Sequence, residues 1–231
     1  MNSIVLNIPH CSTGSIFDLG KWPHNPHFIN SVVRRVTDWY TDFLFYSHNP
    51  AVQEVVFPYS RLVCDVTGTD EESIIWTKQG GYTRNELSDS EHSALLDLYR
   101  EHNDKIKSLI NEDSILIECH SFIDEEECDI ILGTIDWERN RDIVDLAMRE
   151  FKNSGYSVGI LDDVVSAFTP LCKSMFIKVN RRVYMNQNLL LLDRNSRQWM
   201  RWFGCLNRVY DKLLGQEYYH KDKNIRTLSS H

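Results

Sequence analysis

The chain has 231 residues and a net charge of −8 at neutral pH, and 42% of its residues are hydrophobic against 25% charged. This is the composition of an ordinary globular domain. The negative charge argues against nucleic acids and anionic membranes as partners, because both attract basic surfaces.

Length and cysteine usage narrow the class of protein further. No segment resembles a linker, so we expect a single domain over residues 1–231, with 220–231 as a flexible tail. No apolar run approaches the roughly 18 residues that span a bilayer, and the N-terminus lacks the features of a signal peptide. The six cysteines are scattered without a Cys-x-x-Cys pair, which argues against a disulfide framework and predicts a cytoplasmic protein.

Apolar runs typical of buried strands alternate with helical patterns along the chain. The predicted strands cover residues 4–8, 54–57, 62–66, 115–118, 130–132, 156–160 and 174–179. The predicted helices cover residues 30–46, 142–153 and 196–214, and one more runs from an N-cap among residues 88–91 to about residue 109. Strands separated by helices predict an α/β fold, with a mixed and mostly parallel sheet flanked by helices.

Two short segments each place a histidine just beyond a predicted buried run. Ile-Pro-His-Cys-Ser-Thr-Gly covers residues 8–14, and Glu-Cys-His-Ser-Phe covers residues 118–122. α/β sheets place their chemistry beyond the carboxyl ends of the strands, so we expect His10 and His120 to converge there. A lone histidine is more often a satisfied structural residue, but two at equivalent strand ends favour a metal site.

A catalytic zinc ion needs about three protein ligands and keeps one position open for water. Asp38 and Asp42 lie four residues apart on a predicted helix and share one face, which makes them candidates for the third ligand, although such pairs are more commonly a solvated acidic face. Glu118 points to the same side of its strand as His120, so it is either a ligand or a carboxylate that supports the histidine.

Two other residue types allow different chemistry. Cys11 and Cys119 each neighbour a histidine, which permits a Cys–His nucleophile. Adjacent residues at a strand end tend to point apart, however, and small buried cysteines are the commoner outcome. Arg61 is suited to bind a substrate carboxylate through its guanidinium, and a surface ion pair with Asp65 is equally consistent with the spacing.

In their order along the chain, several motifs resemble those of the N-formylglutamate amidohydrolase family. These motifs are Pro9–Ser12, Thr37-Asp38-Trp39, Ser60–Val66 (Ser-Arg-Leu-Val-Cys-Asp-Val), Gly81–Arg84, Glu118–Phe122, Gly155–Val158 and Val179–Met185. Each motif alone is weakly specific, but the order and spacing hold from about residue 4 to 190.

The resemblance implies a zinc-carboxypeptidase-like fold, of the phosphorylase/hydrolase type, and metal-assisted hydrolysis of the amide bond of a small N-acyl amino acid or a related acidic substrate. It makes His10 and His120 ligands of zinc or another divalent metal. It selects Asp38 as the third ligand, because the Thr-Asp-Trp motif recurs in the family. In a hydrolase of this kind we expect Arg61 or Arg84 to bind the acid group of the substrate.

The chain departs from the family pattern at three places near the expected substrate pocket. Lys178 stands where the family usually has a glutamate that matches the general base of related carboxypeptidases. Gly68 stands where relatives tend to have an arginine, and residues 161–166 replace an expected Asn-x-Pro-Tyr-Ser-Gly loop. A lysine accepts a proton from water only if burial or a nearby cation lowers its pKa by several units.

Three functions are consistent with these residues. The first is a zinc-dependent amidohydrolase whose base is another carboxylate, Glu118 or one of Glu125, Glu126 and Glu127. The second is a diverged relative that keeps the fold but binds a ligand or partner without turning it over. The third is a cysteine hydrolase. Lys178 discriminates between the first two and predicts weak or absent activity on N-formylglutamate, while the physiological substrate and the oligomeric state are left open.

Overall fold

The computed structural model describes residues 3–14, 26–69, 74–75, 78–79, 82–123, 128–162, 172–186, 188 and 190–215. The strands are β1 (Ser3–Ile8), β2 (Val52–Val56), β3 (Lys78–Gln79), β4 (Tyr82–Thr83), β5 (Ser114–Phe122), β6 (Ile130–Gly133), β7 (Val158–Leu161) and β8 (Lys173–Asn180). The helices are α1 (Pro26–Val36), α2 (Thr41–Leu44), α3 (Asp89–Leu109), α4 (Trp137–Asn153) and α5 (Arg197–Leu213).

Six of these strands form one mixed sheet in the order β2-β1-β5-β8-β6-β7. The first four are parallel to one another, β6 runs antiparallel to β8, and β7 is parallel to β6. The short strands β3 and β4 form a separate antiparallel pair. The predicted α/β fold with a mixed, mostly parallel sheet flanked by helices is confirmed.

Helices cover both faces of the central strands. Ile4 and Leu6 of β1 belong to the core beneath α4 and α5, whereas Val5 and Leu116 of the same sheet pack with Ile106 of α3. Because both faces are buried, β1 and β5 read in the sequence as continuous apolar runs rather than as alternating ones.

Helix boundaries follow the capping residues. Ser88 caps α3 and forms a capping box with Glu91, and Ser196 caps α5. α4 begins at Trp137, before the predicted start at residue 142, because the Asp136 carboxylate accepts a backbone N–H of its first turn. In the described part of the chain, no helix is long and apolar enough to cross a membrane.

The predicted strand at residues 62–66 is wrong. These residues are buried, but their backbone forms turns, and the Val63 N–H donates to the Ser60 carbonyl at 2.8 Å. The carbonyls of Leu62 and Val63 accept hydrogen bonds from Arg84 Nη2, at 2.5 and 3.2 Å. The segment is therefore apolar because it is buried, and not because it is a strand. The Arg84 side chain supplies the hydrogen bonds that a neighbouring strand would otherwise make.

The predicted helix over residues 30–46 is also wrong, because it is broken into α1 and α2. The Asp38 N–H donates to the His10 carbonyl at 2.9 Å instead of to a carbonyl of its own helix. Tyr40 then adopts a left-handed conformation, with φ of 62°, before α2 begins at Thr41. The apolar periodicity continues across the break, so periodicity alone does not reveal it.

Candidate active site

A cavity of about 310 Å³ lies at the carboxyl ends of the parallel strands β1, β5 and β8, where α/β folds place their binding sites. It is lined by His10, Asp38, Arg61, Thr67, Glu118, His120, Ser121, Leu161, Phe176 and Lys178. A larger cavity of about 640 Å³ is lined by arginine, amide and apolar side chains and, among the described residues, by no histidine or carboxylate. The smaller cavity is therefore the candidate site.

Strand pairing brings four of these side chains to one face of the sheet. Glu118 of β5 pairs with Phe176 of β8, and His120 pairs with Lys178. Residues two apart in a strand share a face, so these four side chains form a continuous patch at the cavity wall. Cys119, between Glu118 and His120, points to the opposite face and is buried in the core.

The two predicted histidines meet a carboxylate in this cavity. One ligand atom each from His10, Asp38 and His120 can be chosen so that all lie within 4.8 Å of one another. Asp38 Oδ2 is 3.5 Å from His10 Nδ1 and 3.1 Å from His120 Nδ1. Two atoms that bind one tetrahedral zinc ion at about 2.1 Å lie roughly 3.4 Å apart, so the cluster has the dimensions of an ion site.

His10 is almost fully buried and is oriented by a second carboxylate. Its Nε2 donates to Asp65 Oδ1 at 2.9 Å, while its Nδ1 has no hydrogen-bond partner among the described residues. Burial acts to raise the pKa of Asp65, but the charge and hydrogen bond of His10, with Arg61, hold that pKa well below its usual range. A ring fixed by a carboxylate at one nitrogen and open at the other is typical of a metal-binding histidine.

Asp38 is the residue that joins the two histidines. Burial acts to raise its pKa, but the adjacent imidazoles of His10 and His120 outweigh burial and lower the pKa well below its ordinary value. Ser121 Oγ donates to Asp38 Oδ1 at 3.0 Å. The carboxylate is therefore ionised, with one oxygen held by Ser121 and the other directed at both rings.

His120 has a looser environment than His10. Its Nε2 lies 3.9 Å from Glu118 Oε2, beyond hydrogen-bonding distance. One face of the ring stacks on Phe176, with centroids 6.2 Å apart and an interplanar angle of 9°. Glu118 is buried and lines the cavity, so its carboxylate lies beside the imidazole at the wall of the site.

The two cations of the cavity have different surroundings. Arg61 Nε donates to Asp65 Oδ2 at 2.6 Å, and the side chain is about one-third exposed and lines the cavity. Arg61 thus pairs with Asp65 and also lies beside the site, two outcomes that the sequence left as alternatives. Lys178 also lines the cavity, and no carboxylate of the described residues forms an ion pair with it.

Several predicted candidates lie elsewhere. Arg84 is buried, donates to the carbonyls of Leu62 and Val63, and is not among the residues that line the cavity. Arg84 therefore supports the backbone of residues 62–63, and its role in substrate binding stays a prediction. Asp42 is outside the His10–Asp38–His120 cluster, and burial raises its pKa.

Cys11 and Cys119, the two cysteines beside the histidines, are poor nucleophiles. Burial, with the charges of Asp42 and Asp38, raises the pKa of Cys11 to about 12. Burial raises the pKa of Cys119 well above that of a free thiol. Because the thiolate is the reactive form, the structure argues against the cysteine-hydrolase hypothesis.

Sequence reasoning missed the contact between Asp65 and His10, which are separated by 55 positions, and the contact between Ser121 and Asp38. Asp65 lies in a motif that the sequence singles out, but there it pairs only with Arg61. The carboxylates at 125–127, most of the loop at 161–166 and the tail at 220–231 lie outside the described residues.

Comparisons with known proteins agree with this architecture. A family model described as N-formylglutamate amidohydrolase matches residues 2–162. The solved N-formylglutamate amidohydrolase from Ralstonia eutropha JMP134 is 14% identical with a TM-score of 0.74, and the match covers 92% of this chain and 94% of that one. A gene product from Agrobacterium tumefaciens is 16% identical with a TM-score of 0.68, over 92% and 90% of the two chains. No curated protein matches the sequence significantly.

The two solved structures share the fold at low identity, and the family match extends over well more than half of the sequence. This match spans His10, Asp38, Arg61 and His120. The chain belongs to the N-formylglutamate amidohydrolase family.

Proposed function

We propose that the protein is a metal-dependent amidohydrolase that cleaves the amide bond of a small N-acyl amino acid or a related acidic substrate. The observation that carries the proposal is the convergence of His10, Asp38 and His120 in a cavity at the strand ends. Family membership supports hydrolysis of an amide. The acidic substrate and the metal follow from the residues around this cluster.

Zinc fits the donor set. Two imidazole nitrogens and one carboxylate are typical of a catalytic zinc site that keeps a position open for water. The buried, unpartnered Nδ1 of His10 is otherwise costly, and a metal ligand role would account for it. When bound, the ion would polarise the amide carbonyl and lower the pKa of a water molecule. His10, Asp38 and His120 would hold it.

Glu118 is our candidate for the proton acceptor. Among the described residues, Asp38 and Glu118 are the only carboxylates that line the cavity, and Asp38 is engaged by both histidines and Ser121. Glu118 Oε2 lies 3.9 Å from Nε2 of His120, so it is next to the cluster. From this position it would accept a proton from the attacking water and return it to the leaving amine.

The charges of the cavity favour an anionic substrate. Asp38 and Glu118 balance Arg61 and Lys178 among the lining residues, so a bound divalent cation would leave the lining net positive. A substrate carboxylate restores neutrality, and Lys178, which has no ion pair among the described residues, is placed to bind it. In this proposal, Lys178 occupies the position of the family's base and serves substrate binding instead.

The proposal is tested by metal content and turnover together. The purified protein should contain about one zinc ion per chain, and His120→Ala should not. The zinc-loaded protein should hydrolyse N-acyl derivatives of acidic amino acids faster than those of the matching neutral amides. Arg61→Ala should raise KM more for the acidic than for the neutral compounds, whereas equal increases would assign Arg61 only to the support of Asp65.

Lys178 also supports a second candidate, a relative that binds such compounds without hydrolysing them. No carboxylate of the described residues occupies the strand position that faces His120 across β5 and β8. Stoichiometric zinc with saturable binding of N-acyl amino acids, but no turnover, would establish that candidate. Absence of zinc at His10, Asp38 and His120 would overturn both.

A further inference from the structure

A buried arginine directly after β8 bonds the backbone at the break between α1 and α2. Arg181 is only 6% exposed. Its Nη1 donates to the Arg34 carbonyl at 3.0 Å, and its Nη2 donates to the Thr37 carbonyl at 2.5 Å. In a continuous helix these carbonyls would accept from the N–H groups of residues 38 and 41. Arg181 therefore takes the two acceptors that an unbroken helix would use at this point.

The freed backbone then reaches the metal cluster. Asp38 N–H, which no longer has the Arg34 carbonyl, donates to the carbonyl of His10 at 2.9 Å, and Thr41 N–H donates to the Asp38 carbonyl at 3.3 Å. The break thus brings the Asp38 backbone against the strand end that carries His10. Without it, residue 38 would lie within a helical turn.

A second path leads from Arg181 to the Asp38 side chain. Arg181 Nε lies 3.5 Å from Ser121 Oγ as donor, and Ser121 Oγ donates to Asp38 Oδ1 at 3.0 Å. This contact holds one carboxylate oxygen and leaves Oδ2 directed at the rings of His10 and His120. The same guanidinium therefore fixes both the backbone and the carboxylate of Asp38.

We infer that Arg181 is a positioning residue for the metal site, one that acts on Asp38 by holding the helix break and by orienting Ser121. The inference rests on the proposed function, because it concerns the ligand set named there. The neighbouring Arg182 differs from Arg181 in exposure and in its partner. Its side chain is 40% exposed and pairs with Asp129 at 3.1 Å.

The test is zinc affinity, measured by competition with a chromophoric chelator, in full-length Arg181→Lys and Arg181→Gln. Both should bind zinc about 10- to 100-fold more weakly than wild type, because loss of a residue that orients a ligand typically costs that much. Lysine keeps the charge but not the planar fork that reaches two carbonyls. Arg182→Gln makes the same change of charge, but its side chain pairs with Asp129 rather than with the backbone near Asp38. Its zinc affinity should therefore stay within about twofold of wild type.

The variants separate positioning from electrostatics. If the charge of Arg181 were all that mattered, Arg181→Lys would match wild type and Arg181→Gln would bind zinc more tightly, because a nearby positive charge is removed. Either result overturns the inference. Unchanged zinc affinity in both variants, with wild-type binding that His120→Ala abolishes, overturns it while leaving the proposed function intact.

Ser121→Ala keeps the inference testable if the Arg181 variants do not fold, as judged by far-UV circular dichroism. This change removes the single hydroxyl between Arg181 and Asp38 and should weaken zinc binding by about tenfold. Wild-type affinity in Ser121→Ala would overturn the link between Arg181 and the carboxylate. Failure of the wild type to bind zinc would overturn the proposed function and the inference together.

Discussion

The two histidines of the candidate site are held in different ways. His10 is 1% exposed, and its Nε2 is bonded to the buried Asp65, which Arg61 also contacts. His120 is 12% exposed, bonds Asp38 Oδ2 through its Nδ1 at 3.1 Å, lies 3.9 Å from Glu118 and stacks on Phe176. His10 is therefore fixed by the buried Asp65 and its partner Arg61, whereas His120 is fixed by Asp38 and bounded by an aromatic face and by Glu118.

The carboxylates next to the two histidines, Asp65 and Glu118, also differ in their contacts. Asp65 is committed, since His10, Arg61 and Thr67 all bond to it. Glu118 lies 3.9 Å from its histidine and lines the cavity. In the proposed function, Asp65 orients a ligand and Glu118 moves a proton.

The largest expected effect is the loss of either ring. His10→Ala and His120→Ala should each weaken zinc binding about a thousandfold, because each ligand of a tightly bound zinc ion contributes roughly 4 kcal/mol to the binding free energy. Both changes should also destabilise the metal-free protein, by about 3 kcal/mol, because His10→Ala leaves the buried Asp65 and His120→Ala leaves the buried Asp38 without one of its partners. Urea unfolding of the metal-free variants measures this. Wild-type stability in both variants would show that the rings do not hold these carboxylates.

The next effect should separate the two carboxylates. Asp65→Asn should lower zinc affinity by about 10- to 100-fold, with a smaller change in the kcat of the zinc-saturated enzyme. Glu118→Gln should leave zinc affinity nearly unchanged and lower kcat by about a hundredfold or more. Chelator competition and steady-state kinetics at saturating zinc measure the two quantities. The reverse pattern would exchange the roles proposed for these residues.

A smaller effect concerns Lys178, beside the looser histidine. Wild-type activity on N-formylglutamate should be weak, with kcat well below the roughly 10 per second typical of enzymes. Lys178→Glu should raise kcat because it returns a carboxylate to the position of the family's base, and should raise KM because a cation is lost. Lys178→Met should raise KM about tenfold without any gain in kcat. A wild-type kcat near the typical value would show that Lys178 is no obstacle to the proton transfer.

The smallest effect involves a third histidine, which shows what a structural role looks like. His102 of α3 is buried, its Nε2 lies 2.9 Å from Asn7 Oδ1, and burial, aided by the charge of His10, lowers its pKa to about 4. The unfolded chain takes up this proton near pH 6.5, so the folded protein loses stability as the pH falls from about 6.5 to about 4. At pH 5.5 the loss should be about 1 kcal/mol.

Comparison with His102→Gln isolates this contribution from other titrations. The difference in unfolding free energy between wild type and variant should shrink by that amount between pH 7.5 and pH 5.5, as measured by urea titration at each pH. A difference independent of pH would mean that His102 has the same pKa in the folded and the unfolded protein, so that burial does not lower it.

The sequence predicted the sheet well because its central strands are buried on both faces. Such strands are continuous apolar runs, and β1, β5 and β8 were placed to within a few residues. The two errors share one cause. At residues 62–66 and at the break near Asp38, arginines from elsewhere in the chain bond the backbone carbonyls. A local pattern contains no information about a hydrogen bond from residue 84 or 181.

The candidate site was predictable in part for the same reason. His10 and His120 follow recognisable strands, so their convergence could be expected from topology. Asp65 could not be assigned to His10, because its nearest partner in sequence, Arg61, explains it equally well. The placement of Lys178 opposite His120 depended on the register between β5 and β8. The sequence does not fix this register, and a shift of one residue would turn the Lys178 side chain to the other face of the sheet.

The hydrogen bond from the Asp38 N–H to the His10 carbonyl has an evolutionary consequence. It joins the segments that carry two of the three proposed ligands through backbone atoms alone. No side-chain substitution at either position deletes it, apart from proline at residue 38, which removes the donor. The contact between these two segments is thus insensitive to the identity of the side chains at residues 10 and 38, and a solved structure that differs at six positions in seven still matches more than nine-tenths of this chain.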